Sequence, residues 1–374
     1  MLRRFFSLHT SALVILALAS GCAHPDASPK AASPSAALGT QPNNMIQAKD
    51  SRFHYAGRVD TSLANGIGLI WEASSVSIDF EGNQLNLVFA KAEGANFFDI
   101  RIDEQSAIIE VPAGNEHEIT CPLVLGSGRH QATLFKRSEA HAGFVIFAGV
   151  KLAEGAQART PAKLETASKF EFFGDSITVG ACNEDGAVDQ WESRRTHNSA
   201  FSYAALTAAA FRADYRNISV SGMGIVTGYV DIHAPHIWDR LYPSESSVRA
   251  DLKQWTPSVV FVNYGENDIS FTTQSNQPFP SSFVDEYVGM VRAMRTVYPL
   301  AEIVILRGGM GGGAENLTLR AAWDSVALRL EAEDPKITHF VFTHFSLQHP
   351  RVSDDQAMAA ELIAWLRKQK FMRL

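Results

Sequence analysis

The chain has 374 residues, of which 46% are apolar and 20% charged, a composition typical of a globular protein long enough for two domains. Its formal net charge of -7, without any run rich in lysine and arginine, excludes a protein that tracks a phosphate backbone, so no nucleic acid is expected as a partner.

The first 22 residues have the features of an export signal. Arg3 and Arg4 supply positive charge, and residues 11–19 are almost wholly apolar but shorter than the ~20 residues that a membrane-spanning helix needs. The segment ends in LASGC, which resembles a bacterial lipobox with Cys22 as the lipid-bearing residue. The alternative is an ordinary cleaved signal with a chance cysteine. With the lipid, we expect an exported, membrane-anchored lipoprotein of the bacterial envelope, periplasmic or surface-facing.

Residues 23–47 are rich in alanine, serine and proline, which predicts a flexible tether. Residues 48–165 have an all-β pattern, because short stretches of period-two alternation are separated by turn signals such as Gly82-Asn83. The predicted strands include 76–80, 85–87, 98–103, 132–136 and 145–147. This pattern favours a β-sandwich.

The pattern changes in residues 166–374, where apolar strands alternate with segments of helical spacing. Strands are predicted at 170–173, 259–262 and 303–306, and helices at 199–212, 281–297 and 315–332. A capping box formed by Ser353 and Gln356 predicts the start of a last helix. Together these elements predict a parallel sheet covered by helices on both faces, with its ligand site beyond the carboxyl ends of the strands.

Two further cysteines, Cys121 and Cys182, fall in different predicted domains. An exported protein can keep a disulfide, but two such cysteines are also commonly buried and free, and the sequence leaves both alternatives open.

Four polar motifs fall at the expected site. Ser176 follows the strand 170–173 in a Gly-Asp-Ser turn, where its hydroxyl would need a base to act as a nucleophile. Gly222 follows a strand and lets a backbone N–H approach a ligand. Asn267, in the motif directly after the strand 259–264, offers a side-chain amide to a developing oxyanion. His349 precedes the last helix and is a natural base for serine. Taken singly, these motifs are equally consistent with structural turns.

Taken in order, Ser176, Gly222, Asn267 and His349 resemble the marker residues of the SGNH hydrolases, also called the GDSL family. With the β-sandwich in front, which the resemblance makes jelly-roll-like, the chain looks like a member of carbohydrate esterase family 2. The resemblance implies a two-domain acetyl esterase that removes O-acetyl groups from polysaccharides such as xylan or glucomannan through an acetyl-enzyme. It also implies an oxyanion hole formed by the N–H groups of Ser176 and Gly222 and by Asn267.

These hydrolases commonly carry an aspartate two or three residues before the histidine, but those positions are Leu347 and Ser346 here. Asp354 and Asp355 fall inside the predicted helix start and are expected to be capping charges. We therefore predict a Ser–His dyad in which a carbonyl or a neutral side chain holds the imidazole.

Aromatic side chains in long loops suit sugar rings, which makes Trp191, Tyr229, Trp238 and Tyr242 candidates for substrate binding, although buried aromatic residues are commoner than sugar platforms. No metal-ligand spacing and no phosphate loop is present, so neither a metal nor another cofactor is expected. Two alternatives remain: a polysaccharide-binding protein with a weakened active site, which the missing aspartate favours, and an esterase acting on envelope glycans, which a lipid anchor permits.

Overall fold

A computed structural model describes residues 44–162 and 168–372. The predicted export signal, the predicted lipidation site at Cys22, nearly all of the predicted tether and the predicted boundary at 165/166 lie outside the described residues. No helix in the described part of the chain is both long enough and apolar enough to cross a membrane.

The N-terminal domain is a sandwich of two six-stranded antiparallel sheets, as the alternation predicts. In the strand Ser75–Glu81 every second residue is buried, because successive side chains of a strand point to opposite faces. All five strands predicted here are confirmed; four extend beyond the predicted bounds, and the one predicted at 98–103 runs over 96–102. The strands are β1 (Met45–Gln47), β2 (His54–Ala56), β3 (Val59–Asp60), β4 (Ile67–Leu69), β5 (Ser75–Glu81), β6 (Leu85–Gly94), β7 (Asn96–Ile102), β8 (Gln105–Val111), β9 (Gly114–Thr120), β10 (Arg129–Lys136), β11 (Gly143–Leu152) and β12 (Ala158–Arg159).

The C-terminal domain contains a five-stranded parallel sheet, and the predicted α/β class is confirmed. Its strands are β13 (Lys169–Gly174), β14 (Asp214–Ser219), β15 (Val259–Asn263), β16 (Glu302–Arg307) and β17 (Ile337–Val341), in the spatial order β14-β13-β15-β16-β17. Its helices are α1 (Ser176–Val179), α2 (Tyr203–Ala210), α3 (Ala234–Ile237), α4 (Glu266–Gln274), α5 (Phe283–Val297), α6 (Gly311–Glu315), α7 (Leu317–Glu333) and α8 (Val352–Leu366), with short 3₁₀ turns at Arg194–Thr196, Ser199–Phe201 and Lys370–Met372.

Neighbouring side chains of the central strands fill two separate cores, one on each face of the parallel sheet. Phe172 stacks on Phe261 with ring centroids 4.2 Å apart, in the core shared with α2 and α8. Phe173 points the other way, into the core shared with α5 and α7. Strands buried on both faces are continuous apolar runs, which is why they stand out in the sequence.

Three local features differ from the sequence prediction. The edge strand β17 was not predicted, since its residues are mostly half-exposed and lack a continuous apolar run. Helix α8 begins at Val352, and the Asp354 carboxylate accepts the Arg351 N–H at 2.8 Å, so the predicted cap at Ser353 is wrong. Asp355 is not a capping charge at the surface: it is fully buried.

The two domains share a buried interface. Arg58 of the sandwich donates to Glu171 of β13 at 3.1 Å, and both side chains are almost completely shielded from solvent. Trp71 adds an indole N–H bond to the Leu241 carbonyl at 2.9 Å. Cys121 and Cys182 are both buried and free, so they do not form the disulfide that the sequence left open.

Candidate active site

A cleft of about 470 Å³ opens beyond the carboxyl ends of β13, β14 and β15. Ser176, Gly222, Asn267 and His349 all line it. Residues that the sequence spreads over more than 170 positions are thus brought to one edge of the sheet, where α/β folds bind their ligands.

Ser176 is presented by a tight strand-to-helix connection. Strand β13 ends at Gly174, and Asp175 caps helix α1 by accepting the Ile177 N–H at 3.0 Å. Ser176 is the first residue of that helix, so its own N–H has no acceptor within the helix and is available as an oxyanion donor.

His349 is held by a carboxylate, and the predicted dyad is wrong. The Asp189 Oδ2 atom lies 2.6 Å from His349 Nδ1 and also 3.4 Å from the His349 backbone nitrogen. Asp189 belongs to the loop after α1, far in sequence from the histidine. Leu347, at the position where the family pattern has an acid, is 81% exposed. The structure therefore pairs His349 with Asp189 at the cleft that Ser176 also lines.

Arg351 holds Asp189 in place beside His349. Its guanidinium lies 2.8 Å from Asp189 Oδ1, and it also donates to the carbonyls of Gly186 at 2.7 Å and Cys182 at 3.1 Å. It thereby ties the acid-bearing loop to the segment that carries His349. A guanidinium presents five donors in a rigid fork, which suits such a multiple contact.

The same contacts set the charge of Asp189. Partial burial alone would raise the pKa of this carboxyl, but hydrogen bonds from His349 and Arg351 outweigh it and lower the pKa. An ionised carboxylate only accepts, so the proton of the neutral imidazole lies on Nδ1. Nε2 is then free to take the proton of a serine hydroxyl.

Gly222 adopts a conformation that favours glycine, with φ of 81°. Its carbonyl accepts the Tyr229 N–H at 2.8 Å, and an added Cβ would lie 3.2 Å from the Cβ of Tyr229. A side chain here would therefore be strained by the positive φ and closely packed against Tyr229, and the turn places the Gly222 backbone against the cleft.

Asn267 stands at the start of α4 with its amide group already engaged. Its Nδ2 donates to Asp175 Oδ2 at 3.0 Å and to the Met223 carbonyl at 3.1 Å. A side-chain amide has two hydrogens, so bonding to an oxyanion requires one of these contacts to be released or shared. Burial raises the pKa of Asp175 to about 8, and the resulting neutral carboxyl is a weaker acceptor than a carboxylate.

We expect Asn267→Ala to lower turnover by ~10²-fold or more with little change in KM, because an oxyanion contact strengthens in the transition state. Steady-state kinetics on a chromogenic acetate ester measures this. Asn263→Ala is the matched control, since Asn263 is also buried at the end of β15 but does not line the cleft. A rise in KM alone would assign Asn267 to substrate binding instead.

Two of the aromatic candidates line the cleft and two do not. Trp191 lies over His349 with ring centroids 5.6 Å apart and planes 27° apart, and Tyr229 is half-exposed at the rim. Trp238 is 6% exposed and packs between Phe173 and Tyr298, so its assignment to substrate binding is wrong. Tyr242 is likewise engaged in the domain interface, through an OH bond to Asp60 at 2.8 Å.

The site contains further residues beyond those that the four sequence motifs marked. Asp189 carries no local signal, since acids in long polar loops are common. His141, from the β10–β11 connection of the sandwich, lines the cleft with Arg194 and Met310. Met310 comes from the glycine-rich segment after β16, whose N–H groups at Gly312 and Gly313 donate to the Glu266 carboxylate.

Among the residues that the structure describes, two groups of side chains have possible metal-ligand atoms within 4.8 Å of one another. One is Cys182 with Asp189 and His349, where burial raises the pKa of the thiol well above its usual value, so the sulfur stays protonated near neutral pH. The other is a surface group that does not line the cleft and consists of His233, His236 and Glu245.

Comparison with known families covers both domains. Residues 55–161 match the family described as Carbohydrate esterase 2 N-terminal, and residues 172–368 match the GDSL-like Lipase/Acylhydrolase family. The second match alone spans more than half of the chain.

Two relatives of known name are similar to this chain over most of its length. A protein from Acetivibrio thermocellus named Cellulase/esterase CelE is 32% identical over 330 residues, which are 84% of this chain but only 39% of that protein. An Acetylxylan esterase / glucomannan deacetylase from Cellvibrio japonicus is 26% identical over 319 residues, covering 80% of this chain and 85% of the relative.

Solved structures extend the likeness to the whole two-domain fold. The structure of a family two carbohydrate esterase from Clostridium thermocellum, in complex with cellohexaose, has a TM-score of 0.74 and 29% identity over 84% of this chain and 98% of that one. A family two carbohydrate esterase from Cellvibrio japonicus shares the fold with a TM-score of 0.76 at 22% identity, covering 88% of this chain and 98% of that one. The chain therefore belongs to the GDSL-like hydrolases and, with its N-terminal sandwich, to carbohydrate esterase family 2.

Proposed function

We propose that this protein is a serine esterase that removes O-acetyl groups from a polysaccharide such as xylan or glucomannan. The observation that carries the proposal is the contact between Asp189 and His349 in the cleft that also contains Ser176. A carboxylate, an imidazole and a serine so arranged activate the hydroxyl for acyl transfer. The names of the relatives supply the substrate class.

In the first half of the reaction, His349 Nε2 takes the proton of Ser176 as its Oγ attacks the acetyl carbonyl carbon. The oxyanion is stabilised by the N–H groups of Ser176 and Gly222 and by the Asn267 amide. The bond from carbon to the sugar oxygen then breaks, and His349 returns its proton to that oxygen. The products are a free sugar hydroxyl and an acetyl-enzyme.

In the second half, water takes the place of the sugar. His349 accepts a proton from the water as its oxygen attacks the acetyl-enzyme, and returns that proton to Ser176 when acetate leaves. Asp189 stays ionised throughout and stabilises the imidazolium that forms in each half. The cleft is open to solvent at the mouth, where Tyr229 is 50% exposed, as a polymeric substrate requires.

Acetate release from acetylated xylan, acetylated glucomannan and O-acetylated peptidoglycan tests this proposal, with Ser176→Ala as the control. We expect the plant polysaccharides to be deacetylated faster. Faster release from peptidoglycan would favour the envelope-glycan alternative. Glycan binding without acetate release, and without turnover of a chromogenic acetate, would favour the binding-protein alternative. The contact between Asp189 and His349 argues against that alternative, because it supplies the acid whose absence had favoured it.

We further propose that the protein is exported and anchored by a lipid on Cys22. The support is the sequence alone: a charged and apolar leader that ends in a lipobox-like LASGC. Two acyl chains bind a membrane firmly, since each buried methylene contributes ~0.8 kcal/mol.

Cys22→Ala should accordingly move the protein from the membrane fraction to the soluble fraction, as followed by immunoblotting after fractionation. Cys121→Ala serves as the matched cysteine control and should stay with the membrane, because Cys121 is buried inside the sandwich. Membrane association that survives Cys22→Ala would rule out a lipid anchor at this residue.

A further inference from the structure

The connection between β10 and β11 of the sandwich reaches the catalytic cleft of the other domain. Lys136 and Glu139 are only 0% and 2% exposed, and His141 at the end of the same segment lines the cleft. Arg137, in between, forms an ion pair with Glu184, and its carbonyl accepts the Ser199 N–H at 3.0 Å. The segment 136–141 is thus inserted between the domains.

Glu139 makes two contacts across this interface, one with each carboxylate oxygen. Oε2 accepts the backbone N–H of Ser221 at 2.9 Å. Oε1 accepts Nη1 of Arg194 at 3.0 Å. Ser221 directly precedes Gly222, so the first contact fixes the peptide that leads into the predicted oxyanion donor.

The contact between Glu139 and Arg194 links the sandwich to His349, the proposed base. The Arg194 guanidinium lies 4.2 Å from the centre of the Trp191 ring, and that ring lies 5.6 Å from the His349 ring in a stacked arrangement. A single carboxylate of the sandwich therefore contacts the oxyanion side of the cleft directly and the histidine side through two stacked groups.

A contribution to stability does not by itself explain why the buried interface carries a carboxylate at Glu139. Burying charged groups is costly, and well-packed apolar residues often serve a protein interior as well or better. Here Glu139 lies beside a second buried carboxylate, Glu72, which accepts the Ser219 N–H at 2.9 Å, and beside Lys136, which donates to the Glu139 carbonyl at 3.1 Å. Glu72 binds the backbone at the last residue of β14, and Glu139 binds it two residues later. The cluster is thus built around the strand end that carries the oxyanion turn.

We propose that Glu139 of the sandwich domain is a positioning residue for the active site, holding Arg194 and the Val220–Ser221 peptide, which directly precedes the peptide that carries the Gly222 N–H. Oxyanion donors act only when they are fixed in advance at the transition-state oxygen, and the rigidity of their support limits that placement. The sandwich is then part of the catalytic unit. This inference rests on the proposed esterase function.

Glu139→Ala and Glu139→Gln, assayed on a chromogenic acetate ester, test it. Glu139→Ala should lower kcat ~10–100-fold with KM within about threefold, because the ground state makes little use of the oxyanion contact. Glu139→Gln keeps an oxygen for the Ser221 N–H but loses the charge that binds Arg194, so we expect a smaller loss in kcat of ~3–10-fold.

A transition-state analogue separates positioning from general loosening. A boronic acid that forms a tetrahedral adduct with Ser176 places an oxygen in the oxyanion hole, so its affinity should fall in parallel with kcat in both variants. Glu171→Gln is the matched control, since Glu171 is another buried carboxylate at the domain interface, bonded to Arg58 at 3.1 Å and to the Tyr298 OH at 2.8 Å. It should lower the melting temperature but leave kcat and boronate affinity unchanged.

The outcomes are distinct. A wild-type protein that is inactive on acetate esters contradicts the proposed function itself. An active wild type with unchanged kcat and boronate affinity in Glu139→Gln overturns the positioning role, and this near-isosteric variant keeps the test valid if Glu139→Ala fails to fold. Equal losses of kcat in the Glu139→Gln and Glu171→Gln variants also overturn it, because they would show a general effect of a weakened interface.

Discussion

Ser176→Ala is expected to reduce acetate release by roughly 10⁵-fold or more, the scale of loss when the nucleophile of a serine hydrolase is removed. Without the Ser176 hydroxyl the proposed acetyl-enzyme cannot form, and the oxyanion donors that remain would give only weak catalysis. The fold should be unaffected, because Ser176 is a small residue and the cap of α1 is provided by Asp175. Turnover of a chromogenic acetate and covalent labelling with a fluorophosphonate measure the effect.

Ser258→Ala is the matched control for this experiment. Ser258 lies just before β15, at the opposite end of the same sheet, where its hydroxyl donates to the Lys169 carbonyl at 3.0 Å. It should retain turnover and labelling. Substantial hydrolysis or labelling by Ser176→Ala would show that another residue is the nucleophile and would remove the basis of the proposed mechanism.

Asp189→Asn is expected to lower kcat by ~10²–10⁴-fold, up to the loss known when the triad acid of a serine protease is neutralised. An amide can donate to Nδ1 and so favour the tautomer that carries its proton on Nε2, which cannot accept a proton from Ser176. It also stabilises the imidazolium less than a carboxylate does. Fluorophosphonate labelling of Ser176 should slow by a similar factor.

Two controls make this result interpretable. Asp185→Asn alters a carboxylate in the same loop that accepts the Gln190 N–H at 2.6 Å and does not contact His349, so it should change kcat little. Thermal unfolding separates a loss of catalysis from a loss of stability, because Asp189 also pairs with Arg351. If Asp189→Asn kept at least a third of wild-type kcat, a dyad would be sufficient and the carboxylate would be structural.

The domain classes and the marker residues were predictable because their signals are local. A strand buried on both faces must be continuously apolar, and a residue directly after such a strand must lie at the sheet edge. Ser176 and Asn267 satisfy this rule by their position after β13 and β15. His349 was singled out by its order after the other motifs and by its place before α8, whose predicted cap lies two residues after the observed N-cap, Arg351, without consequence for the site.

The sequence by itself determined the two domain classes, because strand periodicity is written in neighbouring residues. It offered Ser176, Gly222, Asn267 and His349 as a group because their order resembles that of the SGNH marker residues. Only the tertiary structure decided what surrounds them. Asp189 meets His349 across 160 residues, from a loop with no periodicity. Glu139 reaches the site from the other domain, and burial removed Trp238 from it. Such contacts depend on how loops and domains pack, and any of several acids or aromatics in a loop satisfies the local pattern equally well.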